Sequence, residues 1–200
     1  MKKKQIILLT LLTFFMCTAI NTPAQKKPVD YVHVPGPIVF DNKAFILSWS
    51  SHPTINFYKQ EYIVKGDNPD QFNAMLMTDV ITGGLAIKDV VDIKLAELKK
   101  MKEANPVVNY EVISYPKTGE YMLDFLLSAN DANGNMNIIE RNVYRYRSFT
   151  NKAGQTSVQL FGISTRSYGA GINKFLTALK ANRKELINKV AKFTLPEVKI

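Results

Sequence analysis

Two-residue alternation dominates the second half of the chain. Tyr121, Leu123, Phe125 and Leu127 alternate with Glu120, Met122, Asp124 and Leu126, the period of a strand that buries one face. Residues 136–149 and 156–168 read as two further long strands, and 131–135 and 151–154 hold the Asn, Asp and Gly of hairpin turns. Upstream, Phe45, Leu47 and Trp49 alternate with Ile46, Ser48 and Ser50 as far as Pro53, and 57–64 is rich in aromatic and β-branched residues. Both predict strands. Residues 70–75 read as a helical turn, and 76–81 and 107–115 as strands.

The period changes twice. Ile87, Val90, Val91, Lys94, Leu95, Leu98 and Met101 recur at steps of three and four, forming a helix stopped by Asn105-Pro106. Ile172, Phe175, Leu176, Leu179, Leu186, Ile187 and Val190 form a second stripe, limited by Pro196. The pattern therefore predicts an α+β fold: a largely antiparallel sheet packed with two long helices. Residues 1–24 read as a signal peptide, 25–43 as an extended leader with Pro28, Pro35 and Pro37, and 44–200 as one domain.

Four-residue hairpin loops would place Asn130 opposite Asn135 and Thr150 opposite Gln155. One face then collects Tyr121, Leu123, Phe125, Leu127, Ile138, Tyr144, Tyr146, Phe161 and Ile163, the side both helices should cover. The other collects Glu120, Asp124, Arg141, Arg145, Arg147, Ser164 and Arg166, with Met122, Val143 and Leu160, and reads as a wet face. Arg141 and Arg145 have acidic partners across the strands there; Arg147 and Arg166 have none in this register. A guanidinium offers a planar donor fork to carboxylate or phosphate. Arg147, Arg166, Arg145 and Arg141 are thus the candidate ligand-binding residues, with Arg147 and Arg166 dispensable for stability.

The N-terminus sets the compartment. Lys2, Lys3 and Lys4 precede an apolar run over 6–20, then small residues at Thr22 and Ala24, the build of a secretory signal cleaved near Ala24. The run is about fifteen residues, short of the roughly twenty needed to span a bilayer. Cys17 is the only cysteine, so cleavage leaves a chain without thiol chemistry or disulfides. The formal charge of +9 falls by the three signal lysines to +6. Outside the cytoplasm such a surface suits acidic proteins, glycans or lipid headgroups rather than nucleic acid.

Other chemistry is sparse. His33 and His52 lack partners at metal-ligand spacing, and no cofactor motif is present. Ser164 lies inside a strand and lacks the second glycine of a nucleophile elbow. Asp131 to Glu140 resembles a calcium loop whose first position would be Ala129. The last helix is basic, with Lys174, Lys180, Arg183, Lys184, Lys189 and Lys192 against Glu185.

The element order, the Lys65-Gly-Asp-Asn-Pro-Asp-Gln-Phe72 connection and the Gly119-Glu-Tyr-Met-Leu-Asp-Phe125 meander resemble small secreted bacterial proteins with a PsbP-like α/β/α sandwich. The resemblance covers 44–200 and implies a non-catalytic accessory or binding role; the photosystem role of PsbP does not transfer with the fold. The expectation is an exported envelope protein, periplasmic or extracellular, that binds a protein partner or small anionic ligand. The alternatives are an unrecognised hydrolase, which a paired Asp and Glu with raised pKa in a deep cleft would support, and a membrane-surface protein using its basic last helix.

Overall fold

Every alternating segment becomes a strand of one antiparallel sheet. A computed structural model describes residues 27–200; the expected signal peptide, its expected cleavage near Ala24 and Cys17 lie outside the described residues. The elements are β1 (Ile38–Phe40), β2 (Lys43–Thr54), β3 (Phe57–Val64), β4 (Ala74–Ile81), α1 (Ile87–Ala104), β5 (Asn109–Tyr115), β6 (Glu120–Asn130), β7 (Met136–Thr150), β8 (Thr156–Tyr168) and α2 (Ile172–Lys192). Residues 70–73 form a turn and bend rather than a helical turn, and β4 begins directly after them. Spatial order is β1-β2-β3-β4-β8-β7-β6-β5. The join is β4 against β8, where Leu76 faces Ile163 and Thr78 faces Phe161.

The architecture corrects the expected fold class. Strands take 44% of the described residues and helices 24%, and the sheet curls into a half-barrel. The fold is predominantly β, neither an α+β layer structure nor a PsbP-like sandwich. The physical reason is the continuous β4–β8 ladder, which merges two hairpin sets into one curled sheet. The helices pack mainly on its β5–β8 half, α1 against β5, β6 and β7 and α2 against β7 and β8.

They also pack on opposite faces, α1 over Tyr146 and Leu160 and α2 over Val143 and Phe161, and the hairpin loops between the strands beneath them are longer than expected. Thr150 pairs with Thr156, leaving a five-residue loop over 151–155. Asn151 Oδ1 accepts the backbone N–H groups of Ala153 (3.1 Å) and Gln155 (2.9 Å), which holds the extra residue in the turn. One added residue turns every β8 side chain over. Leu160 thus joins Tyr146, while Phe161 and Ile163 join Arg145 and Val143. Between β6 and β7 the longer loop and a bulge at Ala129/Asn130 together shift the pairing by two, so those faces survive.

Two cores result. On the α1 face, Ile87, Val90, Val91 and Leu98 cover Leu123, Phe125, Tyr146 and Leu160. On the α2 face, Val190, Leu195 and Val198 join Phe45, Tyr62, Leu76, Met122, Val143 and Phe161. The face expected to be wet is therefore a second core. The leader closes it by packing into the fold: Val32 is fully buried. Its N–H donates to Gln60 Oε1 (3.0 Å), and its carbonyl accepts from Lys199 of the C-terminal tail (3.0 Å). The Tyr62 hydroxyl donates to the Val34 carbonyl at 2.6 Å.

Gly162 marks the tightest point of the α1 face. A Cβ there would lie 2.7 Å from Cδ1 of Tyr144, whose ring packs edge-on against Phe125 at 4.8 Å. Gly162→Ala is expected to destabilise by about 1–3 kcal/mol. Urea unfolding measures it, and an unchanged midpoint would refute this packing.

Candidate functional site

The site is built outward from β7. Arg141, Arg145 and Arg147 share one face by strand alternation, and α2 with its tail lies above them. Each arginine meets backbone carbonyls of the segment over it. Arg141 donates to the Arg183 carbonyl (2.6 Å), and Arg145 Nη1 to those of Val190, Ala191 and Phe193 (3.2, 3.0 and 3.0 Å). Arg147 donates to the Pro196 carbonyl (3.1 Å), which also accepts from Gln159. The spacing of strand and helix agrees. From Arg141 to Arg145 the strand advances about 13 Å, and from Arg183 to Ala191 the helix rises about 12 Å.

Carboxylates complete the arginine contacts. Asp124, 2% exposed, accepts Arg141 Nε (2.9 Å) and Nη2 (3.2 Å) and Arg183 Nε (2.6 Å). Arg183 reaches on to Glu111 of β5 at 3.3 Å. The Arg141 contact falls where α2 breaks, with Asn182 at φ −124°, ψ 25°, so a loosened turn meets a buried donor. Arg145 Nε donates to Glu120 (2.7 Å) and Arg147 Nε to Gln159 (2.7 Å). Burial, then the neighbouring Arg145 charge, lowers the pKa of Arg147.

The four candidate arginines are thus not one open cluster. Three lie beneath α2 and the tail, acting as anchors. Arg166 lies on the other face, because β8 is turned over. It pairs with Glu140 (2.5 Å) and stacks on Phe72 at 4.1 Å, so the expectation that it lacks an acidic partner is corrected. Burial opposes its charge, but Glu140 outweighs this and its pKa is raised. Asp124, holding two guanidinium groups, supports the fold more than a surface ladder would.

Open space lies along α2 instead. Only Ile172 and Val190 of this helix are buried; Phe175, Leu176, Leu179, Leu186 and Ile187 are half-buried. Concavities flank it. One of about 270 Å³ lies over Arg141 and Thr165, and one of about 370 Å³ over Asp124 and Leu126. A third, about 670 Å³, separates α2 from Glu111, Ile113 and Tyr115 of β5. Lys180 borders the last two. The β5 residues were missed in sequence, although their alternate spacing is the available signal.

The opposite face holds two acids with raised pKa values. Asp79 is 7% exposed and its Oδ1 has no hydrogen-bond partner. Burial pushes it from 3.8 to about 7, with Lys59 opposing and Glu61 reinforcing. Burial likewise raises Glu61. Of the histidines, His52 stacks on Tyr58 at 4.0 Å and His33 meets the Lys199 carbonyl at 2.9 Å.

These features define a predominantly β half-barrel with a C-terminal helix anchored across one face and a groove along that helix. The chain belongs to an uncharacterised protein family, whose model matches residues 32–195. The match runs from the buried Val32 of the leader into the tail that covers the arginines, and nothing in it supports the PsbP-like resemblance. No curated protein and no solved structure matches the chain.

Asp79 gives a pH signature. Its folded pKa lies above the unfolded value, so its contribution is complete below about pH 4 and is lost as pH rises through about 7. Asp79→Asn is expected to flatten that decline and to gain up to roughly 4 kcal/mol above pH 7 relative to the parent. Denaturant unfolding at pH 4.5 and 8, in both proteins, checks this; parallel pH profiles would refute it.

Proposed function

We propose that this is an exported, non-catalytic binding protein of the cell envelope, with its binding surface in the groove between α2 and β5. Export rests on the lysine-led apolar segment at the N-terminus. The observation carrying the binding reading is the pair Lys180 and Lys184. Both are exposed on the groove rim, and neither forms an ion pair among the described residues, whereas Arg183 and Lys189 beside them are paired. Two unpaired ammonium groups beside half-buried Ile113, Tyr115 and Ile187, in a groove whose acids Glu111 and Glu185 are already held by Arg183 and Lys189, favour a partner with negative charge and some apolar surface.

The hydrolase reading has one observation in its favour, the raised pKa values of Asp79 and Glu61. Both acids lie across the sheet from the three concavities, and the Asp79 carboxyl oxygen is sealed. Binding is the better-supported reading.

Titration with a soluble glutamate polymer, followed by NMR, tests it. Shifts are expected at Lys180, Lys184 and β5, weakening with salt and lost in Lys180→Glu/Lys184→Glu at unchanged melting temperature. No shift at these residues, or binding only to anionic lipid vesicles, would contradict the reading.

A further inference from the structure

The sheet ends on two open edges, β1 and β5. β1 is only three residues long and follows Pro37. β5 runs seven residues, in unbroken register with β6 from Asn109↔Leu126 to Tyr115↔Glu120. Natural edges are blunted by charged side chains, above all lysine, by proline, by bulges or by a covering element. β5, Asn-Tyr-Glu-Val-Ile-Ser-Tyr, has no lysine, proline or bulge, and its one charge, Glu111, is held by Arg183 at 3.3 Å. Val112 on it is 40% exposed, and no strand pairs with its outer side among the described residues.

The edge also has a flanking wall. Ile113 and Tyr115 project into the 670 Å³ groove opposite Lys180, Lys184 and Ile187 of α2. A regular strand edge beside a helix is the arrangement that takes an extended peptide: backbone bonds supply affinity, and the groove reads alternate side chains.

We propose that β5 receives an extended acidic segment of a partner protein as a ninth strand, its alternate side chains entering the groove under Lys180 and Lys184. This rests on the acidic-partner reading above and adds the mode of binding. Charge selects the occupant. A second copy paired through β5 would bring two sets of Lys180 and Lys184 together, whereas an acidic strand neutralises them.

The probe is a short peptide of alternating glutamate and valine, compared with the same peptide N-methylated along one backbone edge. The unmethylated peptide is expected to slow amide exchange in β5. N-methylation, and separately Lys180→Glu/Lys184→Glu, should each weaken binding about tenfold or more. Equal binding of both peptides would overturn strand addition while leaving the acidic-partner reading intact. Binding of neither peptide, with no response to the glutamate polymer, would overturn both. Concentration-dependent dimerisation that protects β5 would overturn the proposal in favour of self-pairing.

Discussion

Guanidinium groups on β7 bonded to the backbone of α2 and its tail are the constraint on which the rest depends. α2 fully buries only two of its residues, so apolar packing alone holds it weakly. Helix C-termini leave carbonyls without partners and carry partial negative charge. Arg145 answers both needs, since one nitrogen meets the Val190, Ala191 and Phe193 carbonyls while Nε meets Glu120. Buried cations are costly unless paired and fully bonded. Glu120, Asp124 and Gln159 complete the pairing for Arg145, Arg141 and Arg147 in turn.

This mode of attachment shapes the surface. A helix held by long polar side chains stands off from the sheet along its middle, where Leu176, Leu179, Leu186 and Ile187 are only half-buried. The concavities on either side follow from that stand-off. The α1 face is built differently, with aliphatic residues of the helix directly on aromatic residues of β6 and β7. One face is thus closed by dry packing, and the other by a polar clamp that leaves room along a basic helix.

Much of the fold was legible in the sequence. The alternation over 120–127, the strand read at 156–168 and the stripe from Ile87 to Met101 became β6, β8 and α1. What failed was long-range or depended on one side chain. Asn151 accepting two backbone N–H groups lengthened a loop by one residue, and that inverted β8 and moved Arg166 to the far face. The join of β4 to β8 lies between residues far apart in the chain, and no local pattern reports it. A face rich in arginine reads as solvated, because composition does not reveal that a helix end will supply carbonyls to it. Strand β1 was hidden in a proline-rich leader, although Val32, Val34, Ile38 and Phe40 in it are apolar and buried.

Amide exchange in an Arg145→Met variant tests the clamp most directly. Removing the guanidinium frees three carbonyls at the end of α2 while keeping an apolar stem over the sheet. Amides from Arg183 to Phe193 should exchange about tenfold faster or more, with β6, β7 and β8 keeping parental protection. Unchanged protection across α2 would show that packing, and not the arginines, holds the helix.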